Sequence, residues 1–165
     1  MSKPWVLIIM GSDSDAEVMS QAAAALDELG VPYEFTVASA HRSPERTKTI
    51  ITNAEANGAT VFIAGAGMAA HLPGVVASLT TRPVIGVPLA SGALQGLDAL
   101  YAIVQMPPGI PVASVAIGGA RNAGILAAQI IATSDPHLAA FMKEQRVSMA
   151  EAVTVKSKKV EKSTR

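Results

Sequence analysis

The chain has 165 residues, a length typical of one domain, and 50% of its residues are hydrophobic. Thirteen basic side chains balance 13 acidic ones, and this zero formal net charge argues against a sequence-independent nucleic-acid binder, which needs a basic face. The absence of cysteine excludes disulfides, thiolate nucleophiles and cysteine-based metal sites.

Short apolar runs along the chain predict five β-strands. The first, at residues 5–10, is wholly apolar, as expected of a strand that is covered on both faces of a parallel sheet. The others are predicted at residues 33–38, 60–64, 83–87 and 112–117. Because helical segments separate the strands, we expect an α/β fold: a doubly wound, five-stranded parallel sheet in the flavodoxin-like order 2-1-3-4-5, forming a three-layer sandwich.

Helix start and stop signals lie between these strands. Ser14 and Asp15 can cap a first helix that ends at about Leu29, before Gly30. Later helices are predicted at residues 44–57, 72–79, 95–104 and 122–132, and a last helix begins at Asp135. Between them we predict a turn at residues 65–67 and a proline-rich loop at residues 106–111. We expect residues 1–155 to form a single α/β nucleotide-binding catalytic domain and residues 156–165 a charged, flexible tail.

Polar residues cluster after the first three strands, in the segments GSDSD (11–15), SAHRSP (39–44) and GAGMAAHLPG (65–74). In the order 2-1-3 these strands are neighbours, so their loops should meet in one cleft at the carboxyl edge of the sheet. The first loop is typical of an anion and sugar site, since Gly11 permits a tight turn, Ser12 adds a hydroxyl and the next helix offers free N–H groups. Asp15 can accept hydrogen bonds from ribose, although a role for Ser14 or Asp15 as a helix cap alone fits equally well.

The second and third loops carry the histidines of the predicted cleft. His41 can gain and lose a proton near neutral pH, and Arg42 beside it can hold a phosphate through two parallel hydrogen bonds. Residues 65–70 fit the dinucleotide fingerprint G-x-G-x-x-A, but they follow the third strand, and no acidic residue lies between Ala70 and Asp98. We interpret these glycines as permitting close approach of a ligand, while His71 is either a structural side chain or a ligand contact.

Other chemistries lack their sequence signals. The chain has no P-loop, no H-x-x-x-H spacing among its three histidines and no G-x-S-x-G elbow, so we predict no metal site. A flavin-dependent redox domain would need aromatic stacking partners, and only 4% of the residues here are aromatic. A response regulator would need a lysine after its last strand, where Gly118 and Gly119 stand instead.

With no signal-peptide segment at the N-terminus and no run near the roughly 18 apolar residues of a membrane span, we expect a cytoplasmic protein without membrane contact.

The ordered combination of these motifs with GVP (86–88), IVQMP (103–107) and GIPV (109–112) closely resembles the PurE family, the N5-carboxyaminoimidazole ribonucleotide mutases of bacterial purine synthesis. The resemblance covers about residues 6–132. It implies that a carboxyl group moves from the exocyclic nitrogen of the substrate to ring carbon C4, without ATP, metal or organic cofactor. It assigns the catalytic proton transfers to His41, as general acid and then as base. The implied substrate-binding residues are Ser12, Asp15, Ser39, Arg42, Gly67, Ala70, His71 and Leu72.

The chain departs from the family pattern at a few positions. Met68 stands where the family usually has glycine, Pro108 differs from the common residue, and the segment from Gly118 to Asn122 looks shorter than usual. A second branch of the family uses free CO2 and carries Ser-Ala-His-Lys. Arg42 and the segment 69–74 favour the mutase branch here.

The helix predicted at residues 122–132 is apolar nearly all round, whereas a surface helix of a monomer keeps a polar face. We therefore expect a closed, symmetric homo-oligomer. The family resemblance implies an octamer with its sites between subunits. The alternative is a monomer in which the last helix folds back over the apolar face.

Overall fold

The computed structural model of the protein describes residues 4–163. The chain divides into two compact units, residues 1–131 and 132–165, so the predicted single domain over residues 1–155 stays a prediction. Within residues 4–163, no helix is both long enough and apolar enough to cross a membrane.

The first unit is built on a parallel sheet of five strands in the order β2-β1-β3-β4-β5. The strands are β1 (Trp5–Met10), β2 (Tyr33–Val37), β3 (Ala59–Gly67), β4 (Val84–Leu89) and β5 (Ala113–Ser114). The helices are α1 (Ala16–Glu28), α2 (Pro44–Ala56), α3 (Leu72–Leu79), α4 (Leu97–Val104) and α5 (Ala120–Ala132), and a short 3-10 helix at Asp13–Asp15 precedes α1. The predicted fold class and strand order are confirmed.

Helices cover both faces of the sheet, which is why β1 is apolar throughout. On one face, Leu7 and Phe62 of the sheet are fully buried in a core that α2, α3 and α4 share. On the other face lies α1, where Met19 occupies the space above Gly65, and α5 packs against α1. A Cβ on Gly124 would lie 2.6 Å from the Ala22 carbonyl oxygen, so glycine permits this close approach of two helices.

The turn predicted at residues 65–67 is wrong, because β3 continues through Gly67. Gly65 and Gly67 pair with Val87 and Leu89 of β4. A Cβ on Gly67 would lie 2.6 Å from Ser91 Oγ, so the missing side chain leaves room for a neighbour rather than marking a turn. The carboxyl end of β3 therefore lies further along the chain than the sequence predicted.

The strand predicted at residues 112–117 is largely wrong, since β5 covers only Ala113–Ser114. The Val115 N–H donates to the Gly86 carbonyl at 3.2 Å, and the Gly118 N–H donates to the Pro88 carbonyl at 2.9 Å. The nitrogen of Pro88 faces the same side as its carbonyl and carries no hydrogen, so the ladder ends there. The predicted start of the fourth helix also differs from the structure. Helix α4 begins at Leu97 rather than at residue 95, because Gln95 and Gly96 take left-handed φ values of 50° and 89°.

The second unit is dominated by one helix, α6 (Pro136–Ser163). Asp135 caps it by accepting hydrogen bonds from the backbone N–H groups of His137 and Leu138, both at 3.0 Å. The helix start near Asp135 was predicted. Residues 156–163, expected to form a flexible tail, are helical here, and residues 164–165 lie outside the described part of the chain.

Candidate active site

The three polar loops meet at the carboxyl edge of the sheet and line a cavity of about 540 Å³. All nine residues predicted for the site lie in its wall: Ser12, Asp15, Ser39, His41, Arg42, Gly67, Ala70, His71 and Leu72. They come together because β2, β1 and β3 are neighbours in the sheet. Their roles toward a ligand stay predictions.

The first loop is organised by a capping box that precedes the cap predicted at Ser14 or Asp15. Ser12 is the N-cap of the short 3-10 helix, and its side chain accepts a hydrogen bond from the Ser14 N–H. Asp15 Oδ2 accepts in return from the Ser12 N–H at 3.1 Å. Asp15 is also the N-cap of α1 and is one of the two residues predicted to cap it, although its side chain makes no capping hydrogen bond to that helix.

Asp15 is half-buried beside this loop, and burial raises the pKa of its carboxyl group above the ordinary value. The hydrogen bond from the Ser12 backbone lowers the pKa, and the neighbouring charge of Asp13 raises it, but both effects are smaller than the effect of burial. A carboxylate that is partly desolvated and already accepts one hydrogen bond has free lone pairs to accept another. Asp15 can therefore bind hydroxyl donors in the cavity.

The second loop holds Arg42 against the first. Ser39 Oγ accepts from the Arg42 backbone N–H at 3.2 Å, and the Arg42 guanidinium donates to the Gly11 carbonyl at 3.3 Å. Among residues 4–163, the structure shows no carboxylate in a salt bridge with Arg42. The guanidinium is exposed beside Ser12, with most of its N–H donors free for an anion.

His41 and His71 form the contact that sequence reasoning did not predict. His41 Nε2 lies 2.6 Å from His71 Nδ1, a hydrogen-bond distance, and the rings meet edge to face with centroids 4.7 Å apart. Which ring donates depends on the tautomers. Both side chains are exposed in the cavity wall, so a ligand can reach them. Because imidazole can act as a general acid or base, the pair offers the site a group that could exchange protons and a partner that could orient it.

The third loop turns tightly after β3. The Ala70 N–H donates to the Gly67 carbonyl at 3.0 Å, and the turn places two non-glycine residues at positive φ, Met68 at 52° and Ala70 at 21°. Ala70 and Leu72 are each 3% exposed and anchor the loop in the core. The small residues of this segment give a low-polarity wall beside the two histidines.

Several cavity residues were not among the predicted site residues. They are Gly11, Ser14, Ala40, Ala66, Met68, Ala69 and Ser91. Ser91 follows the fourth strand, so applying the strand-end rule to β4 as well would have found it. A second cavity of about 390 Å³ adjoins the first loop and shares Gly11, Ser12, Ser39 and Arg42 with the larger one. Residues 118–122, the segment that looks shorter than usual for the family, do not line either cavity.

Comparison with known proteins identifies the family of this chain. The family model described as AIR carboxylase matches residues 5–152. The chain belongs to the AIR carboxylase family. Two relatives named N5-carboxyaminoimidazole ribonucleotide mutase, from Thermotoga maritima and Pyrococcus horikoshii, are each 55% identical and cover 96% of this chain. The matches span 92% and 90% of those proteins, respectively.

Two further similar proteins are a relative with a different name and a protein of known structure. A phosphoribosylaminoimidazole carboxylase of Schizosaccharomyces pombe is 54% identical over 98% of this chain, which matches only 29% of that longer protein. The crystal structure of Treponema denticola PurE superposes with a TM-score of 0.84 at 31% identity, covering 92% of this chain and 94% of that one. Family membership confirms the resemblance and argues against the flavin-binding and response-regulator alternatives.

Proposed function

We propose that this chain is an N5-carboxyaminoimidazole ribonucleotide mutase of de novo purine (IMP) biosynthesis, an isomerase that forms 4-carboxy-5-aminoimidazole ribonucleotide. The observation that carries the proposal is the His41–His71 contact of 2.6 Å in a cavity that also contains Arg42. A group that could exchange protons and a group that could bind an anion would thus share one cavity, as a rearrangement on a ribonucleotide requires. The 55% identity to two mutases over nearly the whole chain supports this assignment.

The first and second loops would bind the ribonucleotide. Its phosphate would accept hydrogen bonds from the Ser12 hydroxyl and the free N–H groups of Arg42. Ser39 would contribute indirectly, because its hydroxyl holds the Arg42 backbone at 3.2 Å. The ribose hydroxyls would donate to Asp15. This placement directs the aminoimidazole ring toward His41 and the third loop.

The reaction then needs only a proton carrier and an enclosed space. The carbamate N–C bond breaks, its electron pair stays on the exocyclic nitrogen, and His41 gives that nitrogen a proton. The ring carbon C4 attacks the released CO2 to form a C–C bond, and His41 takes the C4 proton. One histidine serves both steps and returns to its starting state, so the proposal uses no ATP, metal or organic cofactor.

His71 would position His41 in this scheme. Its Nδ1 is hydrogen-bonded to His41 Nε2, and this contact would hold the ring of the proton carrier in place. The wall formed by Gly67, Ala70 and Leu72 would surround the CO2 and exclude water. A polar wall would instead offer water a route to the intermediate.

A second candidate is the direct carboxylation of aminoimidazole ribonucleotide by free CO2. The 54% identity to a protein named phosphoribosylaminoimidazole carboxylase favours it, and the same site residues would serve. The two candidates differ in the molecule that brings the carboxyl group. Arg42, in place of the lysine expected for a CO2-using branch, favours the mutase.

The test is to incubate purified protein with the carbamate substrate in the absence of ATP and to follow the C4-carboxylated product. Rapid formation supports the mutase. Activity only with aminoimidazole ribonucleotide and CO2 would instead establish the carboxylase, and no product from either substrate would refute both candidates.

We further propose a cytoplasmic homo-octamer with its sites between subunits. Leu97, Tyr101 and Val104 lie at i, i+4 and i+7 on one face of α4 and are 45%, 58% and 47% exposed. Three large apolar side chains on one helix face favour a protein contact. Light scattering tests the assembly, since a particle with the 16.9 kDa mass of one chain at micromolar concentration would refute it.

A further inference from the structure

Met68 combines two features that are unfavourable for the folded chain. Its backbone φ is 52°, in the left-handed region that glycine occupies without strain and other residues rarely adopt. Its side chain is 61% exposed, so a large apolar group lies mostly in water. Neither feature stabilises the fold, and a glycine at this position would remove both.

The position of Met68 supplies a reason for these costs. It directly follows the last residue of β3 and lies in the wall of the site cavity, together with His41 and His71. Its neighbours in the wall, Gly67 and Ala69, have small side chains or none. Residues held in sparsely populated backbone conformations cluster at active sites and ligand-binding segments. In this segment the long, flexible thioether is the group that can extend over the reacting centre.

We infer that Met68 retains the CO2 during the proposed reaction and thereby controls the fraction of turnovers that end in the rearranged product. This inference rests on the proposed function. After the N–C bond breaks and His41 has protonated the nitrogen, CO2 has two fates. Either C4 attacks it and the C4 proton goes to His41, or it leaves, and free aminoimidazole ribonucleotide remains. A long apolar side chain in the cavity wall slows the second fate without taking part in either proton transfer.

The experiment supplies substrate with a 13C-labelled carbamate in buffer that contains unlabelled bicarbonate, with enzyme in excess over substrate. The label that remains in the product measures how often the original CO2 is recaptured. The Met68→Gly and Met68→Ala variants should lose label several-fold more often than the wild type and release more aminoimidazole ribonucleotide. Met68→Leu, which keeps the bulk of the side chain, is the matched control and should stay close to the wild type.

Equal label retention in the wild type and in Met68→Gly would overturn the inference. So would a lower particle mass of Met68→Gly in light scattering, because it would assign Met68 to a subunit contact. The melting temperature of Met68→Gly should not fall, since glycine relieves the left-handed backbone. Failure of the proposed function is distinguishable, because the wild type itself would then form no C4-carboxylated product from the carbamate.

Discussion

Replacing His41 with asparagine separates proton transfer from folding and binding. The ring is exposed, and the side-chain contact that the structure shows for it is the 2.6 Å hydrogen bond to His71. Because an exposed substitution away from the core usually changes stability by no more than about 0.5 kcal/mol, we expect the fold to persist. Asparagine can still form hydrogen bonds, but it cannot gain and lose a proton near neutral pH.

The expected loss of turnover follows from this role. General acid–base catalysis contributes about 10²- to 10⁴-fold. At about 1.36 kcal/mol for each factor of ten, this is about 3–5 kcal/mol of transition-state stabilisation. We expect His41→Asn to lower kcat by that factor and to leave the affinity for aminoimidazole ribonucleotide nearly unchanged, since Ser12 and Arg42 are proposed to bind the phosphate.

The assay follows the C4-carboxylated product from the carbamate substrate, and calorimetric titration gives the affinity. The matched control is His137→Asn, the same exchange at an exposed histidine of α6 that does not line the cavity. It should turn over like the wild type. Turnover of His41→Asn near that of the wild type would refute the proton-carrier role, and a large loss of nucleotide affinity would show that the ring holds the ligand instead.

Three further substitutions test the site and the core. Arg42→Ala should weaken nucleotide binding by about 1.5–3 kcal/mol, or roughly 10- to 150-fold in Kd, because a charge-assisted hydrogen bond is lost; an unchanged Kd in calorimetric titration would exclude the phosphate role. Asp15→Asn should raise the free energy of unfolding at neutral pH. Burial raises the pKa of the Asp15 carboxyl in the folded chain, so the wild type loses stability as the pH rises from the unfolded pKa through the folded pKa and this group ionises. Asparagine stays neutral and avoids that loss. That gain should vanish below about pH 4, near the pKa of the unfolded chain. A gain of the same size in denaturant unfolding at a lower pH would contradict this cause. Gly86→Ala should cost about 1–3 kcal/mol in denaturant unfolding by overpacking, since its Cβ would lie 2.4 Å from Ile103 Cγ2, and a cost near zero would show that Ile103 moves aside.

The sheet and the location of the site were predictable from local pattern. A wholly apolar run such as Trp5–Met10 occurs where both faces of a strand are covered, and the carboxyl ends of neighbouring parallel strands share one edge. The polar segments after three strands therefore had to lie near one another once the order 2-1-3 was assigned. His41 and Arg42 were found in this way, without knowledge of any contact between side chains.

What the tertiary structure decided concerns contacts between residues distant in sequence. Gly65 and Gly67 are typical of a turn by local propensity, yet they continue β3 because Met19 and Ser91 occupy the space of the missing side chains. The last strand is apolar enough for six residues, but it ends after two because Pro88 of the adjacent strand has no N–H to donate.

For the site, too, some features followed from the sequence and others only from the tertiary structure. The sequence by itself determined that the loops after β1, β2 and β3 reach the cleft, because strand pattern and order follow from near neighbours and a few topological rules. The 2.6 Å contact joins His41 and His71, which are 30 residues apart, and no sequence spacing specifies which nitrogens of two rings will meet. Such distances depend on how β1, β2 and β3 are aligned and on how the loop after β3 turns at Met68. These are properties of packing that only the folded chain specifies.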